Sequence, residues 1–219
     1  MRRLLACCLL ACCVSCAPPG STPYVRALYT RVGMGRDALK NTSVTVIAAG
    51  DFSLKEYAPV AAELYGSPEA MRHQLASSLQ ARLSDEHLCK RCGLDTSLDG
   101  AALRQSVFAP LSRAQVASIL ERATGDYVVN LMDLRVYRQV VTSPSSPGSG
   151  SGLGSINRSE YCIASARVQL WDVRRGALAQ EFEAQGWAGD FLGFRERALK
   201  RALEDLVDHA VQGWPENNY

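Results

Sequence analysis

Cys89-Lys90-Arg91-Cys92 is the segment whose residue types and spacing come nearest to a recognisable chemistry. Two thiols at this spacing suit a redox pair, half of a zinc site, or a small local disulfide in an oxidising compartment. Zinc needs two further ligands; beyond residue 16 the sequence has no second CxxC and no closely spaced pair of histidines, and His87 is the one nearby candidate. Redox-active pairs usually sit at a helix N-terminus, where the dipole lowers a thiol pKa. Here the motif follows a helix that the spacing of Met71, Leu75, Leu79 and Leu83 predicts, so the context favours a structural disulfide or free thiols. No metal and no cofactor is expected. His73 and His209 fall on helical segments among charged neighbours, where solvated or helix-terminal roles are usual, and neither GxSxG nor HExxH occurs. Glu204, Asp205 and Asp208 read as a solvated helix face, with Arg201 one turn before Asp205. The residues with chemistry available do not converge on an enzyme.

A second group of cysteines carries a different chemistry. Met1-Arg2-Arg3 is a cationic start, and Leu4 to Val14 (LLACCLLACCV) is an apolar run ending in small residues, the architecture of a signal peptide. It is too short to span a membrane, which takes about 20 apolar residues. The following Ser15-Cys16-Ala17-Pro18-Pro19-Gly20-Ser21 resembles the lipobox and polar tether of bacterial lipoproteins, in which a small residue precedes a cysteine that is acylated and becomes the mature N-terminus. Cys16 is the expected lipidation site. Cys12, preceded by Leu9-Leu10-Ala11, is the alternative, because it has the leucine three positions upstream that Cys16 lacks. The plain alternative is a secreted protein cut after Ser15 or Ala17. Two or three acyl chains give stable anchoring to a membrane where one gives marginal binding. By analogy with other lipoproteins, Ala17 in place of Asp points to the periplasmic face of the outer membrane.

The chain has 219 residues, 47% of them hydrophobic and 21% charged, which suits one domain with tails. Lys plus Arg number 24; without Arg2 and Arg3 they number 22, equal to the 22 Asp plus Glu. That balance supplies no global field for holding nucleic acid, so no nucleic-acid partner is expected. If the leader is removed and Cys16 acylated, only Cys89, Cys92 and Cys162 remain for the folded part, too few for a disulfide scaffold.

The elements that would position these residues can be read in order. Residues 1–15 are the leader, 16–42 the lipidated cysteine and tether, 43–214 the globular domain and 215–219 a tail. Ser43 to Ala49 is β-branched and bounded by Asn41 and Gly50, a strand signal. Ser67-Pro68-Glu69 starts a helix with an N-cap, a proline at the first position and an acid in the first turn. Ser112-Arg113-Ala114-Gln115 is a capping box that opens a second helix, with Val116, Ile119, Leu120 and Ala123 inward. From Asp126 to Tyr137 the period changes to two, with Met132, Leu134 and Val136 on one face. Tyr161 to Val173 alternates as well and puts Cys162 on the core face, where it acts as a small apolar residue. Arg174-Arg175-Gly176 turns the chain into a hairpin with Leu178 to Trp187. Phe194 to Gln212 forms a closing helix with a wide apolar stripe. Thr142 to Ser155 is rich in Gly, Ser and Pro and reads as a loop between strands; leading into a strand and not a helix, it is no phosphate-binding loop. This order predicts an α/β (α+β) fold: one domain with a mixed sheet of about four strands, ending in a three-strand antiparallel meander, flanked by about three helices.

Two blocks carry a family resemblance. Ser118-Ile119-Leu120-Glu121-Arg122-Ala123-Thr124-Gly125-Asp126-Tyr127-Val128-Val129, followed by the stretch from Ala166-Arg167-Val168-Gln169-Leu170-Trp171-Asp172-Val173 to Leu178, resembles the TolB N-terminal-like group, related in fold to anticodon-binding domains. The group includes the curli-secretion lipoprotein CsgG and the penicillin-binding-protein activator LpoB. The resemblance implies a periplasmic lipoprotein that works by protein contact, in one case on a peptidoglycan synthase and in the other as a homo-oligomer. Two departures matter. Residues 138–160 hold only Val140, Val141, Leu153 and Ile156 as aliphatics, which is little for a lipid-facing hairpin. The 26 residues between Cys16 and Ser43 reach under about 90 Å when fully extended, which strains contact with a synthase in the opposite membrane.

The sequence therefore predicts a lipid-anchored, non-enzymatic binding or regulatory protein of the cell envelope. Its expected partner contacts are Trp171, Trp187, Phe191 and Trp214, since aromatics are enriched at interfaces. The competing reading pairs Trp171 with Trp187 across the hairpin as a cover for the sheet. Alternative functions are a subunit of an oligomeric secretion or assembly complex, or a thiol-redox protein using Cys89 and Cys92.

Overall fold

Val44, Val46 and Ile47 are buried on both faces of one short strand, the signature of a strand at the centre of a sheet covered on two sides. The computed structural model describes residues 24–31, 36–95, 97–104, 111–144, 156–190 and 194–214. In chain order the elements are β1 (Tyr24–Thr30), α1 (Arg36–Leu39), β2 (Ser43–Ala49), α2 (Ala58–Tyr65), α3 (Pro68–Asp85), β3 (Arg91–Leu94), α4 (Arg113–Leu120), β4 (Tyr127–Pro144), β5 (Ile156–Asp172), β6 (Ala177–Gly189) and α5 (Arg195–Gln212). Single 3₁₀ turns occupy Lys55–Tyr57 and Gly100–Leu103. The strands form one mixed sheet in the order β1-β6-β5-β4-β2-β3. β2 is parallel to both β3 and β4, and the other pairs are antiparallel.

The helix starts form as their residues dictate. The Ser67 side chain accepts from the Ala70 amide with Pro68 in the first turn, and Ser112 with Gln115 completes a reciprocal capping box. Met71, Leu75, Leu79 and Leu83 of α3 join Ala198, Leu199, Ala202, Leu206 and Ala210 of α5 in the main core beneath one sheet face. α5 lies close to β6 because Gly186 has no side chain: a Cβ there would come 2.2 Å from the Ala202 oxygen and the Leu206 nitrogen. On the other face a smaller core gathers Ile47, Val128 and Trp171 under Leu103, Val116 and Leu120.

The mixed α/β domain is as the pattern predicts, and its details differ. Among the described residues the sheet has six strands, not about four. β1 lies inside the segment read as tether, and β3 contains Cys92 of the CxxC segment, which had no strand signal of its own. Two helices without a cap signal, α1 and α2, are added. β4 and β5 run beyond the strands expected to end at Tyr137 and begin at Tyr161, because Thr142, Ser143 and Pro144 find partners in Arg158, Asn157 and Ile156. The expected loop at 142–155 therefore starts later, and its remainder lies outside the described residues. Asp133 adopts φ +56° in a bulge between Met132 and Arg135. Leu131 and Leu134 consequently both enter the main core, and Met132 is shifted off the face it was expected to share with Leu134 and Val136.

Candidate functional site

The carboxyl end of β2 opens into a cleft of about 820 Å³ between α3 and the Gly100–Leu103 turn. α3 lies on one face of the sheet and α4 on the other, so the cleft occupies the position where parallel α/β sheets ordinarily open to ligands. Its floor is apolar, from Val46, Ala48, Ala76 and Leu98, and its rim carries Asp51, Glu69, Arg72, His73, Asp95, Asp99 and Arg104. Most of those charges already have protein partners. Arg72 donates to the Gly50 carbonyl at 3.2 Å and lies over the Phe52 ring at 5.1 Å. Arg104 bridges Asp51 and Asp133. Asp99 accepts from the amides of Ala101 and Ala102, capping the 3₁₀ turn. Asp95 accepts from the hydroxyl and amide of Ser97, bonds that hold its pKa below the ordinary value. Behind Gly100, buried Asn130 donates to the Gly100 carbonyl at 2.9 Å. A bowl with an apolar floor and a rim of both signs is suited to binding. It brings His73, which is exposed, near no nucleophile among the described residues.

Cys89 and Cys92 form a disulfide, with 6.1 Å between their Cα atoms. It joins the turn after α3 to β3, and Gln80 of α3 donates to the Cys92 carbonyl at 3.0 Å. The bond is common to the structural and the redox readings of the motif. Cys162 is fully buried. Burial pushes its thiol up to about 12, with Asp190 and Glu56 adding to the push and the Tyr57 hydroxyl opposing it. His209 is not solvated: it is buried and its Nδ1 lies 2.6 Å from the Gln185 carbonyl, a donor position that ties α5 to β6.

The aromatic residues expected at a partner surface separate. Trp171 and Trp214 are 1% and 2% exposed, which corrects the expectation that they face a partner. Trp171 lies in the smaller core with its indole N–H donating to Gln169, and Trp214 packs edge-on against Phe182 at 5.3 Å. Trp187 is half-buried and meets Tyr161, not Trp171, at 5.7 Å. In the hairpin register Trp187 lies opposite Ile163 and Trp171 opposite Leu178, so the two indoles are far apart along the strands. Phe191, Cys12 and Cys16 lie outside the described residues.

What the sequence pattern did not reveal is an open sheet face. α4 covers the sheet only near Val128 and Trp171. Beyond it, Arg135 and Tyr137 of β4, Ser165 and Arg167 of β5, and Glu181, Glu183, Gln185 and Trp187 of β6 share a face over which none of the described helices packs. Arg167 pairs with Glu181 at 3.5 Å and Gln185 donates to the Tyr137 hydroxyl at 3.4 Å. Beside this face, Leu28 and Tyr29 on edge strand β1 are 44% and 45% exposed. The polar half of the alternating strands is the signal for the face, but only the extent of α4 shows that, among the described residues, no helix covers it.

No family model matches this chain, and no curated protein sequence matches it. Solved structures do. A PelC dodecamer from Paraburkholderia phytofirmans is 12% identical, with 90% of this chain and 100% of that chain covered at a TM-score of 0.43. The hypothetical protein CT253 from Chlamydia trachomatis is 12% identical over 78% of this chain and 96% of its own, at 0.43. Lipoprotein GNA1162 from Neisseria meningitidis is 11% identical over 76% and 98%, at 0.34. These neighbours are bacterial proteins and one is a lipoprotein; at such identities and scores nothing about function follows from them.

Proposed function

We propose that this chain is a lipid-anchored protein of the cell envelope that binds and regulates a protein partner and performs no catalysis. The observation that carries the reading is the uncovered sheet face, where half-buried Tyr137 and Trp187 are interleaved with Arg135, Arg167, Glu181 and Glu183. Aromatic rings set among charges of both signs are the makings of a protein interface. The leader-like run and Cys16 support the anchor. The CxxC supports a structural role over a redox one, since it follows the C-terminal end of α3 and lacks the helix N-terminus that would activate a thiol.

β1 narrows the choice of partner. With Tyr24 already in the sheet, only residues 17–23 remain between Cys16 and the fold, a reach of under about 30 Å. A partner in the anchoring membrane or on its surface fits this reach, and a peptidoglycan synthase fits only if it comes that close. The exposed β1 edge favours a second reading, self-assembly through strand addition. A photo-crosslinking residue at Glu183, with Glu63 on α2 as the control, tests both in intact envelopes. Adducts with another envelope protein at 183 and none at 63 are expected. Penicillin-binding proteins among them identify an activator, self-adducts alone identify an assembly, and the absence of any adduct at 183 overturns the contact reading.

A further inference from the structure

The pairing of β1 limits how far the folded domain stands from an acyl group on Cys16. Tyr24 lies eight Cα steps from Cys16, at most about 29 Å, and pairs with Gln185. Along the same row Gln185 lies opposite Ser165, and Ser165 opposite Arg135. From that row β4 and β5 continue together to the pair Pro144 and Ile156, nine residues or about 30 Å further along the strands. β6 ends at Gly189, opposite Tyr161, so the last five residues a side extend past β6 as a two-stranded ribbon. β1 is antiparallel to β6, and β6 runs in the same direction as β4. The chain therefore enters the sheet at the end from which the ribbon projects, and the ribbon extends as far from Tyr24 as the tether can.

That end carries groups a lipid surface accepts. Phe194, at the start of α5, is 66% exposed, the most of any large hydrophobic residue among the described ones, and Val140 on the ribbon is 39% exposed. Arg138 and Arg158 share the single Glu160 carboxylate, at 3.1 Å each. Arg195 and Arg197 are exposed in the first turn of α5. The Asp190 amide donates to the Glu160 carbonyl at 2.8 Å, which holds the approach to α5 against the base of the ribbon. Exposed apolar side chains with arginines close by in the chain complement anionic headgroups.

We propose that this pole of the molecule, with Val140, Phe194, Arg195 and Arg197, rests on the bilayer that holds the acyl chains. The strands then stand away from the membrane and the open sheet face is turned sideways, toward neighbours on the same surface. The contact proposed is peripheral; the described part of the ribbon has five residues a side, against the 9–11 of a spanning strand. The proposal rests on anchoring at Cys16.

The test uses the full-length acylated chain in vesicles of phosphatidylethanolamine and phosphatidylglycerol that carry a nitroxide quencher at headgroup depth. A fluorophore is placed through Val140→Cys or, at the opposite end of the strands, through Glu121→Cys. Quenching at 140 several-fold stronger than at 121 is expected, and Arg195→Glu with Arg197→Glu should reduce it at least twofold. Equal quenching at the two sites, or stronger quenching at 121, overturns the orientation and leaves the anchor standing. A chain that acquires no acyl group overturns the anchor and this proposal with it.

Discussion

Asp126 joins two neighbouring strands through one carboxylate. It accepts from the Ser43 amide at 2.9 Å, the Ser43 hydroxyl at 2.8 Å and Arg174 at 2.8 Å. The backbone bond from Ser43 is the largest cause, followed by the Ser43 hydroxyl and Arg174, and together they hold the Asp126 pKa below its ordinary value. A carboxylate lowered in the folded state stabilises the protein fully above its unfolded pKa of about 3.9, and that contribution is lost as pH falls through the lowered value. Asp126→Asn should therefore be less stable at neutral pH, with a shallower loss of stability on acidification, measured by urea denaturation across the acidic range. Parallel pH profiles for the two proteins would contradict the role given to this carboxylate. At this scale the sequence was informative where burial follows from alternation, as for Cys162. It was misleading for Trp171 and Trp214, because a side chain's exposure depends on α4 and on Phe182, which approach from distant parts of the chain.

Elements with local signals were legible, and those that depend on distant partners were not. The caps at Ser67 and Ser112 and the stripe of α5 are written within a few residues of each other. β1 instead requires β6, more than 140 residues later in the chain. The ends of β4 and β5 are built from Thr142, Ser143 and Pro144, residues that favour loops until a facing strand pairs with them. Gly186 shows how tightly two elements meet. Gly186→Ala must displace the α5 backbone at Ala202 and Leu206, and a loss of about 1–3 kcal/mol is expected from overpacking. Gly93→Ala, which meets nothing within 4 Å, should stay within about 0.5 kcal/mol of the parent. Chemical denaturation of both variants checks the contrast, and equal stability would mean that α5 is not seated on β6 as described.

At the scale of the whole molecule, the proposed tether, a ribbon on the same end and a sheet face left open by the described helices combine into one arrangement. The proposed anchor is read from Leu4 to Val14 and Cys16, a matter of local composition. The open face and the shortness of the tether were not, since both follow from strand order and from how much of the sheet the helices cover. The arrangement depends above all on acylation at Cys16. Metabolic labelling with palmitate, applied to the parent chain and to Cys16→Ser and Cys12→Ser, measures it directly. Label on the parent and on Cys12→Ser, lost in Cys16→Ser, is the predicted result; an unlabelled parent, or label that persists in Cys16→Ser, would contradict it.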